Sequence, residues 1–311
     1  MKIALKENPV HSRQHGFRND RSTETAISDS CSYIEQAILN NKNCIGISLD
    51  IQAAFDSILP HKVKESLLEH GGDKNMVNWY YNYLIHRNLI INIAGETVNI
   101  STGIGFPQGG VNSADFWKIA FDEALHIINE NEVRGNGFAD DLLILKSGYN
   151  DESTMKMLQK IVDKLIKWGK TYGLNFNPEK TVVVKFSRRI KLKASTELKI
   201  NNKSIPFTHE MKYLGVIIDQ KLSWKTQINK TLDICKKNLT TMSALIKRQW
   251  GPKPRLAKWL FTGIIRPKLT YASLIWGHTI NKKWVLEKLT RLNRLAALSI
   301  CLLYTSPSPR D

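Results

Sequence analysis

The sequence predicts an α+β fold over residues 1–220 and a mostly helical region over residues 221–300. In the first region, short apolar runs of strand length, such as Cys44–Asp50, alternate with helical patterns. Asp151–Tyr172 has the apolar spacing of three and four residues that is typical of an amphipathic helix. After Trp224 helical spacing continues almost to the end of the chain. With 311 residues, the chain can bury one large core or two modest ones.

The elements of the first region follow from apolar spacing and from the positions of glycine. Helices are predicted where apolar residues recur every three or four positions, and strands where apolar runs are short or alternate. Gly71-Gly72 separates two helices, and Gly95 lies in the turn of a hairpin. In chain order the predictions are a helix over 28–39, a strand over 44–50, helices over 60–70 and 73–86, a hairpin of 89–93 and 97–100, a helix over 113–129, a hairpin of 134–139 and 142–146, a helix over 151–172, and strands over 181–186 and 211–218.

The helical region after Trp224 is interrupted by proline at Gly251-Pro252 and at Arg266-Pro267, where we predict that helices end. The last segment, Cys301–Asp311 (CLLYTSPSPRD), does not continue the pattern and resembles the translation of a sequencing-library adaptor. We leave this tail out of the fold prediction. If the tail is foreign, the natural protein is expected to continue beyond Ile300.

Positive charge is concentrated at one end of the sequence. The net charge is +17, and residues 221–300 hold 17 Lys and Arg against two acids, Asp233 and Glu287. Five of the eight tryptophans lie in the same stretch. Basic residues interleaved with aromatics suit binding to a phosphate backbone. The alternative is a solvated helical face over a tryptophan-rich core. We expect a nucleic-acid-binding subdomain here.

Several classes of protein are excluded. No apolar run approaches the ~18 residues of a membrane span, and the N-terminus has no apolar signal-peptide core. The sequence therefore predicts an intracellular protein without a membrane partner. The cysteines are scattered, with no CxxC pair, which argues against a zinc site or a disulfide framework. They lie at Cys31, Cys44, Cys235 and Cys301.

Candidate metal ligands are found at two places. Asp50 ends an apolar strand, and Asp140-Asp141 has apolar residues on both sides. Mg²⁺ prefers such hard carboxylate oxygens, and buried like charges need a cation. The simpler interpretations are a strand-to-helix cap for Asp50 and an exposed turn for the pair. Because adjacent strand residues point to opposite faces, we expect Asp140 to face Asp50 and Asp141 to be the weaker candidate.

Three carboxylates that hold two metal ions suit an in-line phosphoryl displacement. In that chemistry one ion activates an attacking 3′-hydroxyl group, and the other stabilises the leaving pyrophosphate. The acids therefore suggest nucleotidyl transfer.

The order of motifs resembles the palm of reverse transcriptases, most closely those of non-LTR (LINE-type) retrotransposons. The successive palm motifs are LDIQAAFDSI, GFPQGG, FADDLLIL, GLNFNPEKT and YLGVIID. HGFRNDRST looks like the preceding fingers motif, and RPKLTYASLIWG is similar to the segment after the thumb in insect-type elements. The resemblance covers roughly residues 11–300. It implies a right-hand polymerase, with partial fingers and palm over 1–220, built on an antiparallel sheet with helices on one face, and a basic helical thumb and following segment over 221–300.

The resemblance also implies roles for matching residues. Asp50, Asp140 and Asp141 would hold two Mg²⁺ ions, or Mn²⁺ in their place, with the Ile51 carbonyl as a further ligand. Phe55 would pack under the sugar and exclude a 2′-hydroxyl, with core packing as its alternative. The other matches are Arg18 and Arg21 for the triphosphate, Gln108 and Gly109 for the nucleotide, Lys180 to protonate pyrophosphate, and Tyr213, Leu214 and Gly215 as primer grip. The simpler interpretations are a solvated loop for the two arginines, a surface lysine for Lys180 and a core strand for the primer-grip residues.

The sequence departs from the family pattern after GFPQGG. The usual proline is absent from Val111–Trp117, Asp115 replaces an apolar residue, and Phe138 stands where tyrosine is usual. The upstream fingers segment is also missing, so we expect a fragment of a longer element protein.

The expected function is RNA-directed DNA polymerisation from an RNA template, a DNA primer and dNTPs, with the nucleus as its place of action. An inactive remnant that binds nucleic acid is the main alternative. An RNA-templated RNA polymerase is a second alternative, against which Phe55 argues.

Overall fold

The structure is a computed structural model that describes residues 8–188, 197–245 and 254–301. The chain forms two compact units, of which the first ends at Leu214 and the second begins at Gly215. Unit 1 mixes strands and helices, and the described part of unit 2 is mostly helical, which confirms the predicted fold class. The helix end predicted at Gly251-Pro252 and the tail after Cys301 lie outside the described residues.

Unit 1 contains the predicted helices and strands in the predicted order, together with a helix at Ala54–Ser57 and short strands at 175–176, 198–200, 203–205 and 207–208 that were not predicted. Its elements are α1 Thr23–Leu39, β1 Asn43–Gln52, α2 Ala54–Ser57, α3 Pro60–Glu69, α4 Lys74–Ile85, β2 Arg87–Ile93, β3 Glu96–Thr102, α5 Ser113–Asn129, a 3-10 turn Glu130–Glu132, β4 Arg134–Phe138, β5 Asp141–Gly148, α6 Asp151–Tyr172, β6 Asn175–Phe176, β7 Val182–Phe186, β8 Leu198–Ile200, β9 Lys203–Ile205, β10 Phe207–Thr208 and β11 Glu210–Tyr213.

The main sheet has the strand order β10-β7-β1-β5-β4, and β6 pairs with the end of β1. All of its pairings are antiparallel except that of β10 with β7. β2 and β3 form a separate two-stranded ribbon, as the predicted hairpin requires. Because β1 lies between β5 and β7, the middle of the sheet carries the Asp50 strand.

Helices α5 and α6 cover one face of the sheet. Ile45, Ile47 and Leu49 of β1 are buried in one apolar cluster with side chains of both helices. Side chains alternate between the two faces of a strand, so Asp50 belongs to the other face. The opposite face is also buried near the middle of the sheet, at Leu143 and Leu145, so only the strand end that carries Asp50 and Asp141 is left for chemistry.

The first helix begins five residues before its predicted start. Ser22 accepts a hydrogen bond from the Thr25 backbone N–H, and the Thr25 side chain in turn accepts one from the Ser22 N–H. This reciprocal cap satisfies amides that would otherwise lack partners, so helix α1 extends back to Thr23.

The predicted continuous strand over 211–218 is wrong. Leu214 and Gly215 both have positive φ, 46° and 82°, which an extended strand cannot contain. The strand therefore ends at Tyr213, and another begins at Val216.

The described part of unit 2 is built from helices after one strand. Trp224, Val285 and Leu292 are fully buried in its core. Within the described ranges, no helix combines the length and the apolarity needed to cross a bilayer. The elements are β12 Val216–Asp219, α7 Lys225–Leu245, α8 Pro254–Leu260, a π turn Phe261–Ile265, α9 Arg266–Thr270, α10 Ser273–Trp276, a 3-10 turn Gly277–Asn281 and α11 Lys283–Cys301.

The helix end predicted at Arg266-Pro267 is also wrong. The chain stays helical there because the π turn Phe261–Ile265 directly precedes α9, and Pro267 lies in the first turn of α9. Proline is tolerated at that position because its fixed φ suits the first turn of a helix. The helical run ends instead at Tyr271 and Ala272, where Ala272 takes a φ of 54°.

Candidate catalytic carboxylates

The β1–β5 register brings two of the three aspartates together. Asp50 lies directly opposite Asp141 in the antiparallel ladder, so both side chains are on the same face of the sheet. Asp140 lies in the turn between Phe138 and Asp141. We expected Asp140 to face Asp50, and the register instead makes Asp141 the partner. The sequence does not define this register, because the two strands are about ninety residues apart.

The environment of Asp50 suits a carboxylate that binds a cation. Its Oδ2 atom is buried and accepts no hydrogen bond. The Lys180 Nζ lies 3.5 Å from this oxygen, although the lysine side chain is 68% exposed. The Asp50 carbonyl accepts a hydrogen bond of 2.9 Å from the Asn177 N–H, which fixes the strand end beside Lys180.

The surroundings of Asp141 disfavour the ionised form of its carboxyl group. Asp141 is exposed at the surface of the sheet, and the desolvation of its carboxyl that remains raises the pKa, as do the negative charges of Asp140 and Asp50, while Lys212 lowers it. The causes show that the three acids interact, since each neighbour disfavours ionisation of Asp141. A bound cation would reverse this penalty.

Within the described residues, no group of three His, Cys, Asp or Glu side chains is arranged closely enough to hold a metal ion as it stands. The carboxylates still fit such an ion on two observations. The buried Asp50 Oδ2 atom lacks a hydrogen bond, and the neighbouring acids repel Asp141. A divalent ion would relieve the repulsion at Asp141 and would give Asp50 Oδ2 a stronger partner than the mostly exposed Lys180 ammonium 3.5 Å away.

The turn that carries Asp140 is held from two sides by residues that the motif analysis did not single out as site residues. Ala139 has a φ of 54°, in the left-handed region. The Trp117 indole N–H donates a hydrogen bond of 2.7 Å to the Ala139 carbonyl. On another side, a methyl group added to Gly16 would overlap the Ala139 amide nitrogen. Both contacts join segments distant in sequence, so no local pattern reveals them.

The N-terminal segment packs directly against β4. The His15 N–H donates to the Gly137 carbonyl, at 2.8 Å, and the Gly137 N–H donates to the Arg13 carbonyl, at 3.1 Å. Arg18 donates to the backbone carbonyl of His11 at 2.9 Å, and Arg21 is exposed. Neither candidate triphosphate ligand contacts the carboxylates, whereas the segment that carries them borders the Ala139 turn.

Phe55 follows Asp50 by five residues and belongs to an aromatic cluster. Its ring stacks on Trp117 with 5.2 Å between centroids, and it meets Phe106 and Phe17 edge to face. The preceding Ile51 is buried in the core. Phe55 is only partly buried, so both the packing interpretation and a sugar-contacting role are compatible with its position.

Gln108 lies close to the end of the Asp50 strand. Its Nε2 group donates to both carboxylate oxygens of Asp56 at 3.3 Å. Gly109 next to it has a φ of 82°, a conformation that glycine adopts without strain. Asp115, which departs from the family pattern, pairs with Lys118 at 2.6 Å on the same helix. The unusual acid is thus accommodated locally.

The candidate primer-grip residues fall at the end of unit 1 and the start of unit 2. Tyr213 is buried, and its hydroxyl donates to the Asn136 carbonyl at 3.4 Å. Burial raises the pKa of that hydroxyl, and the nearby charges of Asp141 and Asp29 raise it further. Leu214 and Gly215 supply the positive-φ turn that follows.

Comparison with known proteins identifies the family. A family model described as reverse transcriptase (RNA-dependent DNA polymerase) matches residues 1–218. The chain is similar to a putative 115 kDa protein in the type-1 retrotransposable element R1DM of Drosophila melanogaster, with 22% identity over 291 residues, covering 93% of this chain and 28% of the relative. It is also similar to the RNA-directed DNA polymerase from mobile element jockey of Drosophila melanogaster, with 24% identity over 278 residues, covering 85% of this chain and 29% of the relative.

A solved structure supports the same fold. Telomerase from Candida albicans, in complex with a TWJ fragment of telomeric RNA, aligns with a TM-score of 0.52 at 12% identity, covering 98% of this chain and 52% of that chain. At this identity the likeness concerns the fold alone. The chain spans about a third or less of the length of the relatives named above. Because the family model matches more than two thirds of its length, the chain belongs to the reverse transcriptase family and is related to the polymerases of R1- and jockey-type non-LTR retrotransposons.

Proposed function

We propose that this chain is an RNA-directed DNA polymerase that extends a DNA primer with dNTPs on an RNA template. The observation that carries the proposal is the Asp50–Asp141 pair, opposite each other in the central sheet with Asp140 in the adjoining turn. In a reverse transcriptase family member, carboxylates in this arrangement suit nucleotidyl transfer.

Asp50, Asp140 and Asp141 would hold two divalent ions, Mg²⁺ or Mn²⁺, with the Ile51 carbonyl as a further ligand. When bound, such ions activate the attacking 3′-hydroxyl group and stabilise the leaving pyrophosphate. The buried Asp50 Oδ2 atom, which lacks a hydrogen bond, supports its assignment as a ligand. The mutual repulsion among the acids supports the assignment of the other two.

Other side chains around the carboxylates would bind and select the nucleotide. Lys180 lies near Asp50, from where it would donate a proton to the leaving pyrophosphate. The partly exposed Phe55 ring would exclude a 2′-hydroxyl group. Gln108 and Gly109 would support the nucleotide, and Arg18 and Arg21 would contact its triphosphate.

The charge distribution supports nucleic-acid binding by unit 2. The ion pairs seen among the described residues all lie between Arg13 and Lys203, so none involves a basic residue of unit 2. Exposed cations without acidic partners favour a polyanion such as RNA. Residues 1–220 would then act as fingers and palm, and 221–300 as thumb, with Tyr213, Leu214 and Gly215 against the primer. Copying onto chromosomal DNA would place the reaction in the nucleus.

Primer extension on an RNA template with dNTPs and Mg²⁺ tests the proposal. We expect the wild type to extend the primer, and Asp140→Asn to lower the rate by at least about 100-fold, because it removes charge at the reacting centre. Asp163→Asn, an exposed acid on α6, is the matched control and should retain activity. Absence of extension by the wild type, or extension that survives Asp140→Asn, would contradict the proposal.

The nucleotide preference separates this function from RNA-templated RNA synthesis. The wild type is expected to favour dNTPs over rNTPs, and Phe55→Ala should reduce that preference because the space under the sugar opens. Equal use of both nucleotides by the wild type would favour an RNA polymerase instead.

A further inference from the structure

Trp117 connects the core to the turn that carries Asp140. The side chain lies on helix α5 and is fully buried. Its indole N–H reaches out of the core to the Ala139 carbonyl, at 2.7 Å. Ala139 immediately precedes Asp140, so this hydrogen bond acts on the peptide unit to which Asp140 belongs.

The turn needs such support. Ala139 and Asp140 form a two-residue connection between β4 and β5, because Phe138 and Asp141 are the last cross-strand pair. Its first residue has a φ of 54°, where glycine is the usual choice and alanine is strained. A strained conformation persists only where the surroundings fix it. The Trp117 hydrogen bond and the close approach of Gly16 are the contacts that fix it here.

The same indole ring supports the candidate sugar-contacting residue. Phe55 stacks on it at 5.2 Å between centroids, with 25° between the ring planes. Phe121 stacks on it as well, at 5.5 Å and 18°. Trp117 therefore contacts both the Phe55 ring and the Asp140 turn, two parts of the site that are far apart in sequence.

We propose that Trp117 is a positioning residue whose indole N–H fixes the Asp140 turn relative to Phe55. This inference rests on the proposed polymerase function for its effect on turnover. The hydrogen bond sets the turn, and the ring sets the Phe55 contact, so the two effects are separable by substitution. A residue that acted only through core packing would change both together.

Trp117→Phe removes the N–H and keeps an aromatic ring. We expect faster amide hydrogen exchange in the segment 138–142, by about 2- to 10-fold, as loss of one hydrogen bond allows. In primer extension, kcat should fall while the dNTP KM and the preference for dNTPs over rNTPs stay close to those of the wild type. This split follows because the carboxylate turn is loosened and the Phe55 contact is retained.

Phe121→Leu is the matched control, since it alters the other ring that stacks on Trp117 and leaves the N–H in place. Unchanged exchange in segment 138–142 of Trp117→Phe, or equal acceleration in both variants, would overturn the inference. A parallel change in kcat, KM and nucleotide preference would also overturn it. The exchange measurement needs no substrate, so a wild type that fails to extend primers contradicts the proposed function alone.

Discussion

Three carboxylates within one small region impose an energetic cost on the folded protein. The raised pKa of Asp141 means that its ionised form opposes folding at neutral pH. The buried Asp50 Oδ2 atom accepts no hydrogen bond and is compensated only by the mostly exposed Lys180 ammonium 3.5 Å away, which adds to that cost. At the scale of single residues, the candidate site is thus built against stability, as expected where binding a cation provides the compensation.

Removing one of these charges should stabilise the protein. Asp141→Asn is expected to raise Tm without divalent ions by about 1 °C, because Asp141 is exposed and solvent screens the relieved repulsion to roughly 0.5 kcal/mol. The gain should shrink as the pH falls through the raised pKa of Asp141, because the wild-type carboxyl is then protonated. Thermal melts of the wild type and Asp141→Asn across that pH range measure this difference in Tm.

Mg²⁺ supplies the second half of this test. It should raise the Tm of the wild type more than that of Asp141→Asn, since the variant has lost a ligand. Asp233→Asn on unit 2 serves as the control and should not raise Tm, because Asp233 is an acid among lysines. A variant less stable than the wild type at neutral pH would contradict the repulsion argument.

Gly16 should tolerate no side chain. In Gly16→Ala the new methyl group would overlap the Ala139 backbone, so either the N-terminal segment or the Asp140 turn must move. We expect a loss of about 1–3 kcal/mol of unfolding free energy and reduced primer extension. Urea denaturation measures the first effect. Gly277→Ala is the control, because its methyl group meets open space, and equal effects of the two substitutions would show that steric overlap is not the cause.

Among the elements, the sequence predicts existence and type better than boundaries. The central strand and the amphipathic helix Asp151–Tyr172 follow from apolar periodicity, because burial imposes it. The early start of α1 depends on the hydrogen bonds of one cap, and the break after Tyr213 depends on two positive-φ residues. Such local contacts carry no periodic signal.

For the candidate site, too, the sequence predicts which residues take part but not how they are placed relative to each other. The order of motifs in the sequence identifies Asp50 and the Asp140-Asp141 pair as chemistry-bearing residues. Their mutual placement depends on the β1–β5 register, and the support of the turn depends on Trp117 and Gly16. Register and long-range contacts are properties of the folded chain, so sequence spacing does not supply them.

Asp29 joins three elements of unit 1, and its loss should be costly. It accepts hydrogen bonds from Arg13 of the N-terminal segment and from Arg134 and Asn136 of β4. Burial alone would raise its pKa, but the hydrogen bonds from Arg134 and Asn136 lower it overall. Asp29→Asn should therefore cost about 1–3 kcal/mol at neutral pH.

The pH dependence gives a further check on Asp29. The stabilisation that ionised Asp29 provides is fully present above the ordinary carboxyl pKa of 3.8. It is lost as the pH falls through the lowered pKa of Asp29 in the folded protein. The difference between wild type and Asp29→Asn in urea unfolding should shrink accordingly. Glu152→Gln, which breaks the exposed pair with Lys156, should leave stability nearly unchanged. Equal costs for the two variants would contradict a bridging role for Asp29.

For the molecule as a whole, charge is divided between the two units. In unit 1, described lysines such as Lys62, Lys156 and Lys164 pair with nearby glutamates. On helix α7 of unit 2, Lys225, Lys230 and Lys237 line one groove without ion pairs among the described residues. Because residues 221–300 hold only two acids, most of their lysines and arginines have no acidic side chain with which to pair. Unit 1 also has lysines without ion pairs among the described residues, such as Lys74, Lys160 and Lys167, but the proposed binding of RNA depends on the exposed lysines of α7.

The salt dependence of RNA binding distinguishes these two uses of lysine. The slope of log K against log salt is negative, and each phosphate contact that is lost reduces its magnitude by about 0.7 for single strands. If all three α7 lysines contact phosphate, replacing each of them by Gln should reduce that magnitude by about 2. The matched triple substitution of Lys62, Lys156 and Lys164 removes the same charge and should leave the slope unchanged, because those lysines neutralise glutamates rather than phosphates. Binding titrations over a range of salt concentrations measure both slopes, and equal reductions would mean that net charge rather than the α7 surface governs binding.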